Sequence, residues 1–130
     1  MNPRLLVLLA TLGVAAGCTP VAPTEGVPLD REFTLKPGTG GQIEGTDLRV
    51  VFQGVVSDSR CPADATCVQA GDAVVELRVG TALVQLRSAS APEQVVGIYR
   101  VRLTRVEPYP ATSQPIAPGD YRATLIVTRR

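Results

Sequence analysis

Histidine and tryptophan are absent from this 130-residue chain, and lysine occurs once, at Lys36. Without histidine there is no imidazole to act as general base and none to ligate a metal, which removes the commonest catalytic apparatus. Charge of one sign is also missing. The 13 basic residues are balanced by 12 acidic ones, and neither sign is clustered. Nucleic-acid binding needs a concentrated basic surface, so that partner class is excluded. The chain has no long hydrophobic run. Its most apolar stretch, Leu5 to Ala16, has 12 residues, and a helix needs about 20 to cross the hydrocarbon core.

What is present begins with that short stretch. Arg4 precedes it, small residues Ala15-Ala16-Gly17 follow it, and Cys18 comes next. A basic start, a short apolar run and small residues have the organisation of an export signal. With the cysteine, the segment resembles a bacterial lipoprotein signal with its lipobox, although Ala15 stands where Leu, Val or Ile is usual. The resemblance implies cleavage after residue 17, acylation of Cys18 (typically including palmitate), and a cell-envelope protein held to the membrane by its N-terminal lipid. Thr19 in place of Asp after the cysteine implies the outer membrane if the organism has one. The alternative is ordinary cleavage and a soluble secreted protein. Residues 18–30, with Pro20, Pro23 and Pro28, read as a tether, so the globular domain is expected over 31–130. That is one domain's worth of chain.

Beyond the tether, apolar residues recur with period two and β-branched residues dominate. Phe33 and Leu35 share a face, and Pro37–Gly41 breaks the strand. Leu48, Val50, Phe52, Gly54 and Val56 are expected to face inward on the longest strand. Ala73, Val75, Leu77 and Val79 form another strand, joined by Gly80-Thr81 to Ala82, Val84 and Leu86 as a hairpin. Tyr99, Val101 and Leu103 precede a last strand of Tyr121, Ala123, Leu125 and Val127, with Arg122 and Thr124 outward. No amphipathic helix pattern follows the signal. The chain is therefore predicted to be all-β, a small antiparallel immunoglobulin-like sandwich of about seven strands, with a small barrel as the alternative. Arg49, Arg78, Arg87, Arg100, Arg102 and Arg122 fall on strand exteriors. On one sheet they would suit anionic polysaccharide or lipid headgroups; on two they are a solvated face. Pro118-Gly119-Asp120-Tyr121 resembles the tyrosine entry of immunoglobulin-like domains, which implies a phenol bonded to backbone.

The segment from Asp58 to Ala73 has the most individual chemistry. Cys61 and Cys67 in an exported chain most simply form a disulfide. Closing so short a loop contributes about 2–3 kcal/mol. The spacing is not Cys-x-x-Cys, and zinc would want ligands that are missing. Calcium held by Asp58, Asp64 and Asp72 is a competing reading without the ligand pattern of an EF-hand. No metal or cofactor is expected.

The string Asp58-Ser59-Arg60-Cys61-Pro62, then Cys67 and Ala70-Gly71-x-Ala73, resembles small exported bacterial proteins of uncharacterised function. Gln69 stands where they often carry Trp. The resemblance runs from Phe33 to Val127 and implies a shared fold and no particular activity. The reading that follows is a lipid-anchored, non-catalytic envelope domain for binding or assembly, with an envelope protein or polysaccharide as partner and Asp58, Arg60 and Asp64 as a possible binding loop. The alternative is a hydrolase inhibitor presenting Arg60-Cys61-Pro62 or Pro108–Pro118 on a rigid loop. An enzyme is the weakest reading. Asp58 and Asp64 could serve as a glycosidase pair only across a cleft.

Overall fold

The computed structural model describes Gly17 and residues 26–130. Cys18, residues 1–16 of its signal and the first part of the expected tether lie outside the described residues. Eight strands occur among those described: β1 (Glu32–Leu35), β2 (Gly40–Gln42), β3 (Arg49–Asp58), β4 (Ala73–Val79), β5 (Ala82–Arg87), β6 (Glu93–Val96), β7 (Tyr99–Glu107) and β8 (Arg122–Arg129). They form two four-stranded antiparallel sheets, ordered β1-β8-β7-β6 and β2-β3-β4-β5. This is the expected antiparallel sandwich. Strands β2 to β5 follow one another as a meander, as do β6 to β8, with β1 closing against β8. The likeness to immunoglobulin domains is therefore one of architecture, two packed sheets, and does not extend to their Greek-key strand order.

The core is made by the alternation. Phe52, Val75, Leu77 and Leu86 from one sheet meet Val101, Leu103, Leu125 and Val127 from the other, all buried. Period-two apolar residues on a pleated strand all point to one face, so two such faces can seal against each other. The Gly80-Thr81 hairpin forms as expected, with Val79 paired to Ala82 and Gly80 in the positive-φ region.

Several expectations are corrected. Val56 is 57 % exposed because β3 carries two bulges, one after Phe52 and one after Val55. Each bulge sets two residues against one, so the alternation is displaced and Val55 packs against the core instead. Thr124, expected outward, is 3 % exposed; its hydroxyl bonds Thr34 on the neighbouring strand. The break at Pro37–Gly41 ends at Thr39, since Gly40 and Gly41 pair with Val51 and Val50. A side chain at Gly40 would strike the Val50 carbonyl, which explains glycine there. Strand β6, which lacks alternation because most of it is exposed, is added.

The packed domain also begins earlier than Arg31. Val27 is buried in the core, bridges Ile43 and exchanges backbone bonds with Gln42 and Glu44. The chain thus enters at the end of the sandwich that carries residues 43–48, the Gly80 turn and the Gly97 turn. Asp30 N–H donates to Val127 O, six residues along β8 from Tyr121, or about 20 Å at strand rise. Tyr121 marks the opposite end, where the disulfide loop and residues 108–120 gather.

Candidate functional site

The second bulge of β3 lets Asp58 pair with Ala73 at the strand's end, and the chain then turns through Ser59 and Arg60. The Asp58 carboxylate accepts from Arg60 through Nε to Oδ1 at 2.8 Å and Nη2 to Oδ2 at 2.7 Å. Its Oδ1 also accepts the Arg60 backbone N–H at 3.2 Å, and its Oδ2 accepts the Tyr121 hydroxyl at 3.0 Å. The phenol of Tyr121 thus bonds to a carboxylate, where backbone was expected.

The guanidinium continues across the sandwich. Arg60 Nη1 donates to Val106 O at 2.7 Å and Nη2 to Pro108 O at 2.9 Å. These carbonyls are two residues apart along one edge of the chain, and β6 leaves that edge uncovered because its pairing reaches only Arg102. Arg60 therefore supplies N–H donors where a neighbouring strand would. A planar fork with five donors can do this while holding a carboxylate; an ammonium cannot. The Tyr109 ring covers the group, 4.9 Å from guanidinium carbon to ring centroid. Arg60 is 7 % exposed and its donors are satisfied within the chain.

The electrostatics follow from this geometry. Burial raises the Asp58 pKa, but hydrogen bonds and charge from Arg60 outweigh it and hold the carboxyl below the usual range. Burial likewise lowers Arg60, and the Asp58 carboxylate more than restores it. Burial and the bond to Asp58 both raise the Tyr121 phenol.

The disulfide between Cys61 and Cys67 is present, with Cα atoms 5.9 Å apart. The loop it closes is docked on residues 108–112. Ala63 N–H donates to Pro110 O at 2.9 Å, and Thr112 donates to Asp64 through its backbone N–H and its hydroxyl. The Thr112 hydroxyl is the main reason that the Asp64 carboxyl lies below its ordinary pKa. Asp72 does the same for a third loop. Its carboxylate accepts the backbone N–H groups of Ala89 and Ser90 and the Ser90 hydroxyl, which lower its pKa, the hydroxyl most. Gly71 completes the fit. A Cβ there would collide with the Ser59 carbonyl, so the returning chain lies directly on the outgoing one.

Asp58, Asp64 and Asp72, weighed above as calcium ligands, are thus each committed to a different loop. Among the described residues no group of three or more carboxylate, thiol or imidazole ligands is placed to hold a metal. Of the possible binding residues, Asp58 and Arg60 lie inside the fold, while Asp64 stays at the surface as a link between loops. Exposed on the same end are Tyr109, 58 % accessible, and Val68. A cleft of about 310 Å³ opens beside the Asp58–Arg60 clasp, between Gly71, Ser88, Arg105 and Tyr109. A larger, shallow concavity of about 540 Å³ around Gln42–Asp47 lies at the other end.

The outward arginines are divided. Arg49, Arg78 and Arg87 belong to one sheet, and Arg100, Arg102 and Arg122 to the other. They are solvated faces and not one patch. Sequence reading missed the Val106 and Pro108 carbonyls, Tyr109, Thr112 and Ser90. Backbone acceptors carry no residue signature, and the others sit in segments without periodicity. No family model, no curated protein and no solved structure matches this chain.

Proposed function

We propose that this chain is a lipid-anchored, non-catalytic binding domain of the cell envelope, engaging an envelope protein or polysaccharide through its disulfide-bearing loop end. The observation that supports this reading is the locking of three loops (residues 59–72, 88–91 and 108–120) into one platform by three aspartates, Arg60 and the disulfide. Loops held before contact lose less conformational entropy on binding, so such a platform favours recognition. It stands at the end of the sandwich away from the chain's point of entry, so attachment through Cys18 leaves it uncovered. The inhibitor alternative loses Arg60 as a contact residue, because Arg60 is buried and cannot be presented to an enzyme pocket, and would rest on Pro108–Pro118 alone.

Two measurements test the reading. Cys18→Ala is expected to move the protein from the membrane fraction to the soluble one; retention in the membrane would overturn the anchor. Photo-crosslinking in intact cells from a probe at Val68 or Tyr109 is expected to trap one specific envelope component. The same probe at Thr46, on the opposite end, is the control. Equal trapping from both ends would overturn the platform as the binding surface.

A further inference from the structure

The sandwich has four edge strands, β1 and β6 in one sheet and β2 and β5 in the other. An edge presents unpaired N–H and C=O groups, and proteins blunt such edges with short length, charge, proline or bulges. Three of the four are blunted. β2 has three residues, β6 has four and follows Pro92 with Glu93, and β1 has four and begins with Glu32. β5 is not. It runs six residues without proline and without charge until Arg87, and its ladder with β4 is unbroken from Ala82 to Arg87.

The register says which groups are free. Val79 and Ala82 close a two-residue turn and bond to each other, so hydrogen-bonded and non-bonded pairs alternate from there. Val84 and Leu86 then bond to β4, while Leu83, Gln85 and Arg87 direct N–H and C=O outward. Two observed bonds agree: Arg87 N–H donates to Ala91 O outside the sheet, and Ser88 N–H donates back to Ala73 O. Beyond the Arg87–Ala91 bridge no ladder continues, since β5 and β6 belong to different sheets. The backbone groups of Leu83 and Gln85 stay unpaired among the described residues, and the Leu83 side chain is 56 % exposed.

We propose that β5 is a self-association edge, at which two copies of this chain pair their β5 strands antiparallel about a two-fold axis through Val84. Leu83 exchanges both backbone hydrogen bonds with Gln85 of the partner subunit, and the reverse, making one continuous eight-stranded sheet. Alternating N–H and C=O groups select an extended polypeptide. Self-complementarity selects a second copy. Residues at 83 and 85 carry no charge, so no like charges meet. Arg78, beside Leu83, shares a row with the partner subunit's Glu76, which lies beside Gln85. The two loop platforms point in opposite directions along the pair and stay free.

The test uses the full chain in detergent, with Leu83→Cys and Gln85→Cys made singly. In the proposed register these two positions face each other, whereas two copies of the same position lie on a diagonal about 7–8 Å apart, beyond easy disulfide reach. Under mild oxidation the mixture is expected to cross-link at least tenfold faster than either variant alone. Sedimentation is expected to give a pair for the native chain and a single copy for Leu83→Lys, with the thermal midpoint unchanged because the β4 ladder is untouched. A native chain that sediments as one copy at millimolar concentration would overturn the proposal. So would cross-linking equally fast with and without mixing, or capture of a different polypeptide on β5 by the single-copy form.

Discussion

Arg60 and Asp58 lie two residues apart and face each other as fork and carboxylate, with side chains only 6 % and 10 % exposed. The pair joins the end of β3 to the end of β7 and the residue that follows it and, through Tyr121, to the start of β8. Removing one partner leaves a buried charge and two carbonyls without donors. Arg60→Ala is therefore expected to lower unfolding free energy by about 3–5 kcal/mol in urea titrations. Arg60→Lys should recover only part of this, because an ammonium cannot span carboxylate and both carbonyls. Tyr121→Phe should cost about 1.5–3 kcal/mol, and far less when Asp58 is already Ala. A loss below about 1 kcal/mol in Arg60→Ala would show the clasp to be incidental.

Acid should weaken the loop end. The carboxyls of Asp58, Asp64 and Asp72 all lie below their ordinary values. Below the ordinary value near pH 3.9 the unfolded chain binds more protons than the folded one, so stability rises with pH there. Their contribution is complete at neutral pH, declines as pH falls past about 4, and is lost below the folded-state values. Urea midpoints between pH 7 and 2 should show this, and Asp72→Asn should flatten the profile. A profile no flatter in that variant would remove Asp72 from the account.

Reduction should loosen one loop and leave the clasp. Asp58 and Arg60 precede the ring that Cys61 and Cys67 close, whereas Ala63 and Asp64 lie inside it. Replacing both cysteines with serine is expected to cost about 2 kcal/mol from loop entropy. Hydrogen exchange should quicken at Ala63 and Thr112 while Arg60 N–H keeps its protection. Equal loss at all three would mean that the loop end unfolds as one unit.

The bulges of β3 predict a contrast within one strand. Val56→Ser should change stability by no more than about 0.5 kcal/mol, since the side chain is exposed. Leu77→Ala, on the neighbouring strand but fully buried, should cost about 2–5 kcal/mol. Comparable losses would place Val56 in the core and contradict the bulge after Val55.

Period-two patterning was enough to read the sandwich, the β4–β5 hairpin and most core residues, because inward alternation is a local property of a pleated strand; Val27, Ile43 and Val106 fell outside it. The spacing of Cys61 and Cys67, taken with the expected export signal, was enough to read the disulfide. The pairing of Arg60 with Asp58 is local, since two charges two residues apart need only the turn between them to meet. Only the tertiary structure could assign the rest. Bulges move the alternation in β3, and they depend on the partner strand. The carbonyls of Val106 and Pro108 reach Arg60 from 46 and 48 residues away. Three aspartates that look like one ligand set in the sequence are separated onto three loops. Local sequence carries conformational preference and pattern; which distant backbone groups remain for a side chain to satisfy is decided when the sheets close.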